Sequence, residues 1–226
     1  MIDKLRTKNW RQIKAKRPTQ VTLKNMKRIL LLSLIWTLFF SCSTTNYNRL
    51  TKKELPNLID SLYRADQSTV QIRPADSAAA AYQRVIRSNF PFVSRISKKF
   101  GFPGYDLVGK ESSNKYFLLV QHSDFNLPFQ QNVLKAMKTQ VERKNASGQS
   151  FAYLTDRIEI NNGRPQIYGT QVFMSGNTKI KLCADTLNLD NRRKSVGLSP
   201  IKEYLEQCNE AFYQMNPLEK RLNKNN

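Results

Sequence analysis

The chain has 226 residues, 40% of them hydrophobic, enough for one globular domain with a real core and a few flanking segments. Its formal net charge is +20, yet residues 1–41 hold ten of the 37 Lys and Arg and a single acid, Asp3, so from Cys42 onward the excess falls to +11. With that distribution, and with no zinc finger, RNP-type aromatic motif or basic dimerisation helix, no nucleic-acid partner is expected; the remaining charge suits solubility or contact with anionic headgroups and acidic glycans.

Residues 1–25 are polar and basic, and read as an upstream segment ahead of a translation start at Met26 or as a long charged leader. Met26-Lys27-Arg28, the apolar run Ile29 to Phe40 and Ser41-Cys42 then follow the order of an export signal over residues 26–41. A helix of that apolar run spans about 18 Å, too short for a hydrocarbon core of about 30 Å. Leu38-Phe39-Phe40-Ser41-Cys42 resembles a bacterial lipobox, in which a small residue precedes the cysteine that takes the lipid; Phe39 and Phe40 depart from it. The expectation is a lipoprotein anchored to a membrane through Cys42 and facing the periplasm. Residues 42–51 form the tether, 52–215 one globular domain and 216–226 a polar tail. In an oxidising compartment Cys183 and Cys208 either pair or remain two buried thiols.

Within the domain, residues 52–66 predict a helix with Leu55, Leu58, Ile59 and Leu62 on one face and Pro56 in its first turn. Residues 75–99 predict one or two helices, with Asp76 as an N-cap and Asn89 to Pro91 as an interruption. Phe100 to Gly104 is a breaker, 112–122 a helix, 128–143 a clearer helix with Val133, Leu134, Met137 and Val141 as its stripe, and 149–157 a short one. Ile158-Glu159-Ile160 alternates, Asn161-Asn162-Gly163 signals a turn and Gln166 to Phe173 looks extended, which together predict a hairpin; Thr178 to Leu182 can add a strand. Helix returns at 188–195 and 199–213. The fold class predicted is mainly α with a small antiparallel β-hairpin or sheet, an α+β arrangement.

Four polar clusters interrupt this pattern: Gln121-His122-x-Asp124 with Gln130, Ala152-Tyr153-Leu154-x-Asp156-Arg157, Gly163-Arg164-x-Gln166-x-Tyr168-Gly169-Thr170-Gln171, and Arg192-Arg193-x-x-x-Gly197-Leu198. Through these motifs, from about residue 86 to 205, the chain resembles an uncharacterised bacterial family, domain of unknown function 6624. A Gly-Phe-Pro turn at 101–103 fits the resemblance, while 181–189 lacks the prolines usual there. The resemblance implies no particular activity, so the residues must supply the chemistry.

His122 is the only histidine in the chain and the one side chain with an ordinary pKa near neutrality. It is the candidate general base, with Asp124 or Asp156 to orient it. Arg157, Arg192 and Arg193 are candidate clamps for a carboxylate or phosphate. Gln121, Gln130, Tyr168 and Gln171 are further candidate ligand-binding groups, and Gln130, Gln166 and Gln171 are candidate amide donors for an oxyanion or a sugar. The expected pocket joins His122, Asp156, Arg157 and Gln171 around an anionic or polyhydroxylated small molecule or glycan. The same groups also suit a hydrolase or transferase, or a buried polar network in a structural envelope protein. No cofactor is expected: P-loop, dinucleotide and nucleophile-elbow motifs are absent, and neither a second histidine nor a zinc-type cysteine spacing is present.

Overall fold

The computed structural model describes residues 50–69 and 75–222. The predicted signal sequence, Cys42 and most of the tether lie outside the described residues. Helix α1 (Leu55–Ser68) opens with a reciprocal Thr51–Glu54 cap: the Thr51 hydroxyl donates to Glu54 Oε2 at 2.7 Å and accepts from the Glu54 N–H at 3.3 Å. Helix α2 (Ala75–Phe100) follows, then α3 (Tyr105–Gln121), α4 (Leu127–Glu142) and α5 (Gly148–Asn161). Strands β1 (Val172–Phe173) and β2 (Lys179–Ile180) form an antiparallel pair, with Val172 opposite Ile180 and Phe173 opposite Lys179. A 3₁₀ turn (Thr186–Asn188) leads into α6 (Leu189–Ser195), α7 (Ile201–Met215) and α8 (Pro217–Leu222). The predicted fold class is the one observed: mainly helical, with one small hairpin.

Helices α1 to α5 enclose the core. Leu55 and Ile59 of α1, Val93 and Ile96 of α2, Tyr116 and Val120 of α3, Val133 and Met137 of α4 and Leu154 of α5 are all at most 1% exposed. Burying such side chains stabilises by roughly 1.5–3 kcal/mol each before chain entropy is counted. Helix α3 touches α1, α2, α4 and α5, while α1 also packs on α2 and α4 on α5, so α3 is central to this layer. Among the described residues no helix is long and apolar enough to cross a membrane.

The structure corrects the sequence-based elements in several places. Helix α2 runs through Pro91 without a break. Proline removes one backbone hydrogen bond and costs a helix about 3 kcal/mol, but here buried side chains on both sides, Ile86 before it and Val93 and Ile96 after it, hold the helix on the core. The Asn89 amide also donates to the Leu62 carbonyl of α1 at 3.0 Å. Asp76 lies inside that helix rather than capping it. Helix α3 starts earlier than expected, at Tyr105, and is kinked at Gly109, whose φ of 77° is a left-handed value that glycine adopts freely. Residues 158–160 are helical: Ile158 continues from Leu154 at i+4 and is 3% exposed, and three alternating residues are too few to separate a strand from a helix face. The tail from Asn216 carries α8.

Asn161-Asn162-Gly163 is therefore a helix end rather than a hairpin turn. The Arg164 N–H donates to the Glu159 carbonyl and the Gly163 N–H to the Ile160 carbonyl, both at 2.9 Å, with Gly163 at φ 71°. The hairpin expected between 158–160 and 166–173 shifts to 172–180.

Candidate functional site

Two polar networks adjoin α5, whose neighbouring residues Asp156 and Arg157 point into different ones because successive helix residues diverge by about 100°. Asp156 is fully buried. Its Oδ1 accepts from the Ile167 and Tyr168 N–H groups at 2.7 and 2.9 Å, and its Oδ2 from the Thr170 N–H and hydroxyl at 2.8 and 2.9 Å. The loop 166–171, expected to be a strand, wraps around this carboxylate instead.

Gln166, also fully buried, closes the loop. It donates to the Gln171 and Lys181 carbonyls at 2.9 and 3.0 Å and accepts from the Gln171 N–H at 2.8 Å. Gly169 sits at the bend with φ 67°, where a Cβ would stand 3.3 Å from both Leu189 and Ile201. Two arginines seal the far side. Arg192 donates to the Ile167 and Ala184 carbonyls at 2.8 and 2.6 Å and to the Asp185 carboxylate at 3.2 Å. Arg193 donates to the Ser199 and Tyr168 carbonyls at 2.6 and 2.8 Å. Burial pushes the Tyr168 phenol above its ordinary range, and the Asp156 charge adds to that.

The second network joins α1, α3, α4 and α5. Arg157 grips Asp124 with two bonds, Nε to Oδ1 at 2.8 Å and Nη2 to Oδ2 at 2.5 Å. Asn161 also donates to Asp124, at 3.3 Å. Gln130, fully buried, donates from one amide nitrogen to Asp124 Oδ1 and to the Val120 and Gln121 carbonyls, all at 3.1 Å. Gln121 thus enters through its backbone, and Gln130 satisfies carbonyls left open at the end of α3.

Burial raises the Asp124 carboxyl, but the Arg157 bonds and charge, with Gln130 and Asn161, leave it below the ordinary 3.8. A carboxylate held low in the folded state gives stability that is full above its unfolded value and is lost as pH falls through the lower folded value. The melting-temperature gap between wild type and Asp124→Asn is therefore expected to narrow between about pH 6 and pH 2. A gap unchanged by pH would contradict this role.

His122 caps the end of α3 and meets neither Asp124 nor Asp156 in a hydrogen bond. Its partner is Asp66 of α1: Nδ1 lies 2.9 Å from Oδ1 and 3.0 Å from Oδ2. Asp66 is 1% exposed, whereas the His122 side chain is 20% exposed. Gln67 donates to Asp66 Oδ2 at 2.8 Å. Among the described residues Nε2 has no hydrogen-bond partner. Tyr82 stands edge-on to the imidazole with ring centroids 5.5 Å apart. Burial, reinforced by the Asp66 and Asp124 charges against Arg157, pushes its phenol up to about 12, so Tyr82 stays a neutral proton donor across the physiological range.

A sequence model of a family of unknown function (DUF6624) matches residues 78–216, more than half the chain. The chain belongs to this family. No curated protein and no solved structure matches it.

The DUF6624 match contains both networks except for Asp66 and its donor Gln67, which lie on α1 ahead of the matched residues. That position explains why the four motifs did not reveal Asp66. A signal was nonetheless present: Leu55, Ile59, Leu62 and Asp66 step by four, three and four along α1, and all are buried. An acid on a buried stripe requires a partner.

The set His122, Asp156, Arg157 and Gln171 does not converge. Arg157 belongs with Asp124, and Gln171 with Thr170 and Gln166 beside Asp156. Arg157 and Arg192 are each engaged by protein carboxylates. Cys183 and Cys208 are unpaired. Among the described residues no three His, Cys, Asp or Glu side chains gather as metal ligands.

Proposed function

We propose that this chain is an exported, lipid-anchored cell-envelope protein whose folded domain carries a histidine acid–base site, with His122 as the base of a hydrolase or group transferase. The export reading rests on the basic patch, short apolar run and Ser41-Cys42 of the sequence. Cys42→Ala is expected to release the protein from membranes into the soluble envelope fraction. Failure of the wild type to incorporate a labelled fatty acid would overturn the anchor.

The observation that carries the site is the Asp66–His122 pair. A buried carboxylate on Nδ1 fixes the tautomer with the proton on Nδ1 and leaves the Nε2 lone pair to take a proton from water or a substrate hydroxyl. Tyr82 can return a proton or donate a hydrogen bond, and the bidentate Arg157–Asp124 pair stiffens the wall beside it.

His122→Asn tests this reading, because the asparagine amide can replace Nδ1–H toward Asp66 while deleting Nε2. Activated carboxylate esters, phosphate esters and glycosides, offered separately, are expected to reveal one class that the wild type turns over. The variant should turn it over about 100-fold more slowly or worse, with melting within a few degrees of wild type. Equal rates for the two proteins on every class would contradict acid–base chemistry at His122.

A further inference from the structure

Arg193 of α6 is 1% exposed and has no carboxylate within ion-pair distance among the described residues, although α6 and its surroundings carry several acids. Its bonds go to backbone carbonyls of Ser199, Tyr168 and Gly169, and its Nη2 has no hydrogen-bond partner. The guanidinium carbon lies 4.9 Å from the centroid of the Tyr204 ring. Burial pushes the group below its ordinary value. The Asp156 and Asp190 charges act on it only from beyond ion-pair distance, so burial outweighs them; a buried cation without a direct counter-ion is costly, and an incoming anion offsets that cost.

The same residue lines a cleft of about 620 Å³ together with Gln149, Tyr153, Lys194, Leu198 and Tyr204. The walls are set by close backbone approach: a Cβ on Gly148 would fall 2.8 Å from the Val196 carbonyl, and the Gln149 amide donates to the Gly197 carbonyl. These contacts draw the first turn of α5 against the loop after α6. Burial raises the Tyr204 phenol well above its ordinary range, and Tyr153 adds to that, so the hydroxyl remains a neutral donor. It bonds the Thr170 carbonyl at 2.8 Å, which holds the ring against Arg193.

We propose that this cleft is a binding site for a small organic anion, with its carboxylate or phosphate group drawn to the Arg193 guanidinium and Lys194 and its body laid between Tyr153, Tyr204 and Leu198. Lys194 is exposed at this cleft and Arg193 is buried in it. Gln149 and Tyr153 stand two and one helical steps of four residues before Arg157, which puts this cleft on the same helix as the wall of the His122 site but on different side chains.

Benzoate and phenyl phosphate, titrated into the full chain at constant ionic strength and compared with benzyl alcohol, test the site through the Arg193 Nε–H resonance. One or both anions are expected to shift that resonance saturably, and their relative affinities identify the headgroup. Benzyl alcohol should not shift it. Lys194→Glu, a reversal on an exposed residue, should weaken binding about tenfold, and His122→Asn should leave it unchanged, which separates this site from the acid–base reading. No saturable shift with either anion, an equal shift with benzyl alcohol, or full binding by Lys194→Glu would overturn the proposal.

Discussion

Asp156→Ala is expected to destabilise the domain by about 3–5 kcal/mol, lowering its melting temperature by about 10 °C or more. The carboxylate is fully buried and takes three backbone N–H groups and one hydroxyl from a single loop. Removing it strands all of those donors away from water and frees the loop that Gln166, Arg192 and Arg193 also bind. Asp156→Asn should recover only part of the loss, because an amide presents one acceptor oxygen where the carboxylate presents two. Circular dichroism melts of the two variants check this. A wild-type melting temperature for Asp156→Ala would mean that the loop is held by its other contacts, and Asp156 would regain its place among the reacting groups.

Asp66→Asn is expected to leave the fold nearly intact and to lower His122-dependent turnover by about two to four orders of magnitude. The amide has the shape of the carboxylate but can donate to Nδ1, which moves the imidazole proton to Nε2 and removes the base. The contrast with Asp156 is the useful part. Both are buried acids, but one is saturated by backbone donors and the other faces an imidazole nitrogen. Loss of stability without loss of turnover, in either order of measurement, would show that Asp66 is an anchor for α1 on α3 and nothing more. Alanine at His122 is a poorer probe than asparagine, since it would leave Asp66 buried without the Nδ1 donor.

The helical core was legible because its signal is collective. Leu55, Ile59 and Leu62, or Val133 and Met137, repeat over several turns, and a stripe of that length admits one reading. The misreadings fell where the signal is short or where tertiary contacts override local preference. Pro91 is a local breaker outweighed by Val93 and Ile96 on the core. Ile158-Glu159-Ile160 mimics a strand over three residues, while Leu154 to Ile158 decides for helix. Gln166 to Gln171 looks extended in sequence, but the backbone bends at 167–169 to wrap the Asp156 side chain, and no periodicity encodes that.

The polar residues of the second network were legible apart from Asp66, and their wiring was not. His122, Asp124, Gln130 and Arg157 stand out in the sequence beside apolar runs, and each makes side-chain hydrogen bonds in the fold. Which carboxylate meets which cation depends on helix packing. Asp124 is two residues from His122 in sequence but turns to Arg157, and the acid on His122 arrives from a helix more than fifty residues away. Arg193 carried the opposite ambiguity: its motif suggested anion binding, and its main-chain bonds show a structural clamp, while one donor stays unmet and no carboxylate pairs with it directly among the described residues.

The central claim is that Asp66 prepares His122 as a base with Nε2 on offer. Because the chain holds one histidine, ¹⁵N spectra of selectively labelled protein report that ring alone. The account predicts a neutral imidazole with its proton on Nδ1 and Nε2 unprotonated, switching to the opposite tautomer in Asp66→Asn. A wild-type ring already protonated on Nε2, or one indifferent to Asp66→Asn, would contradict it.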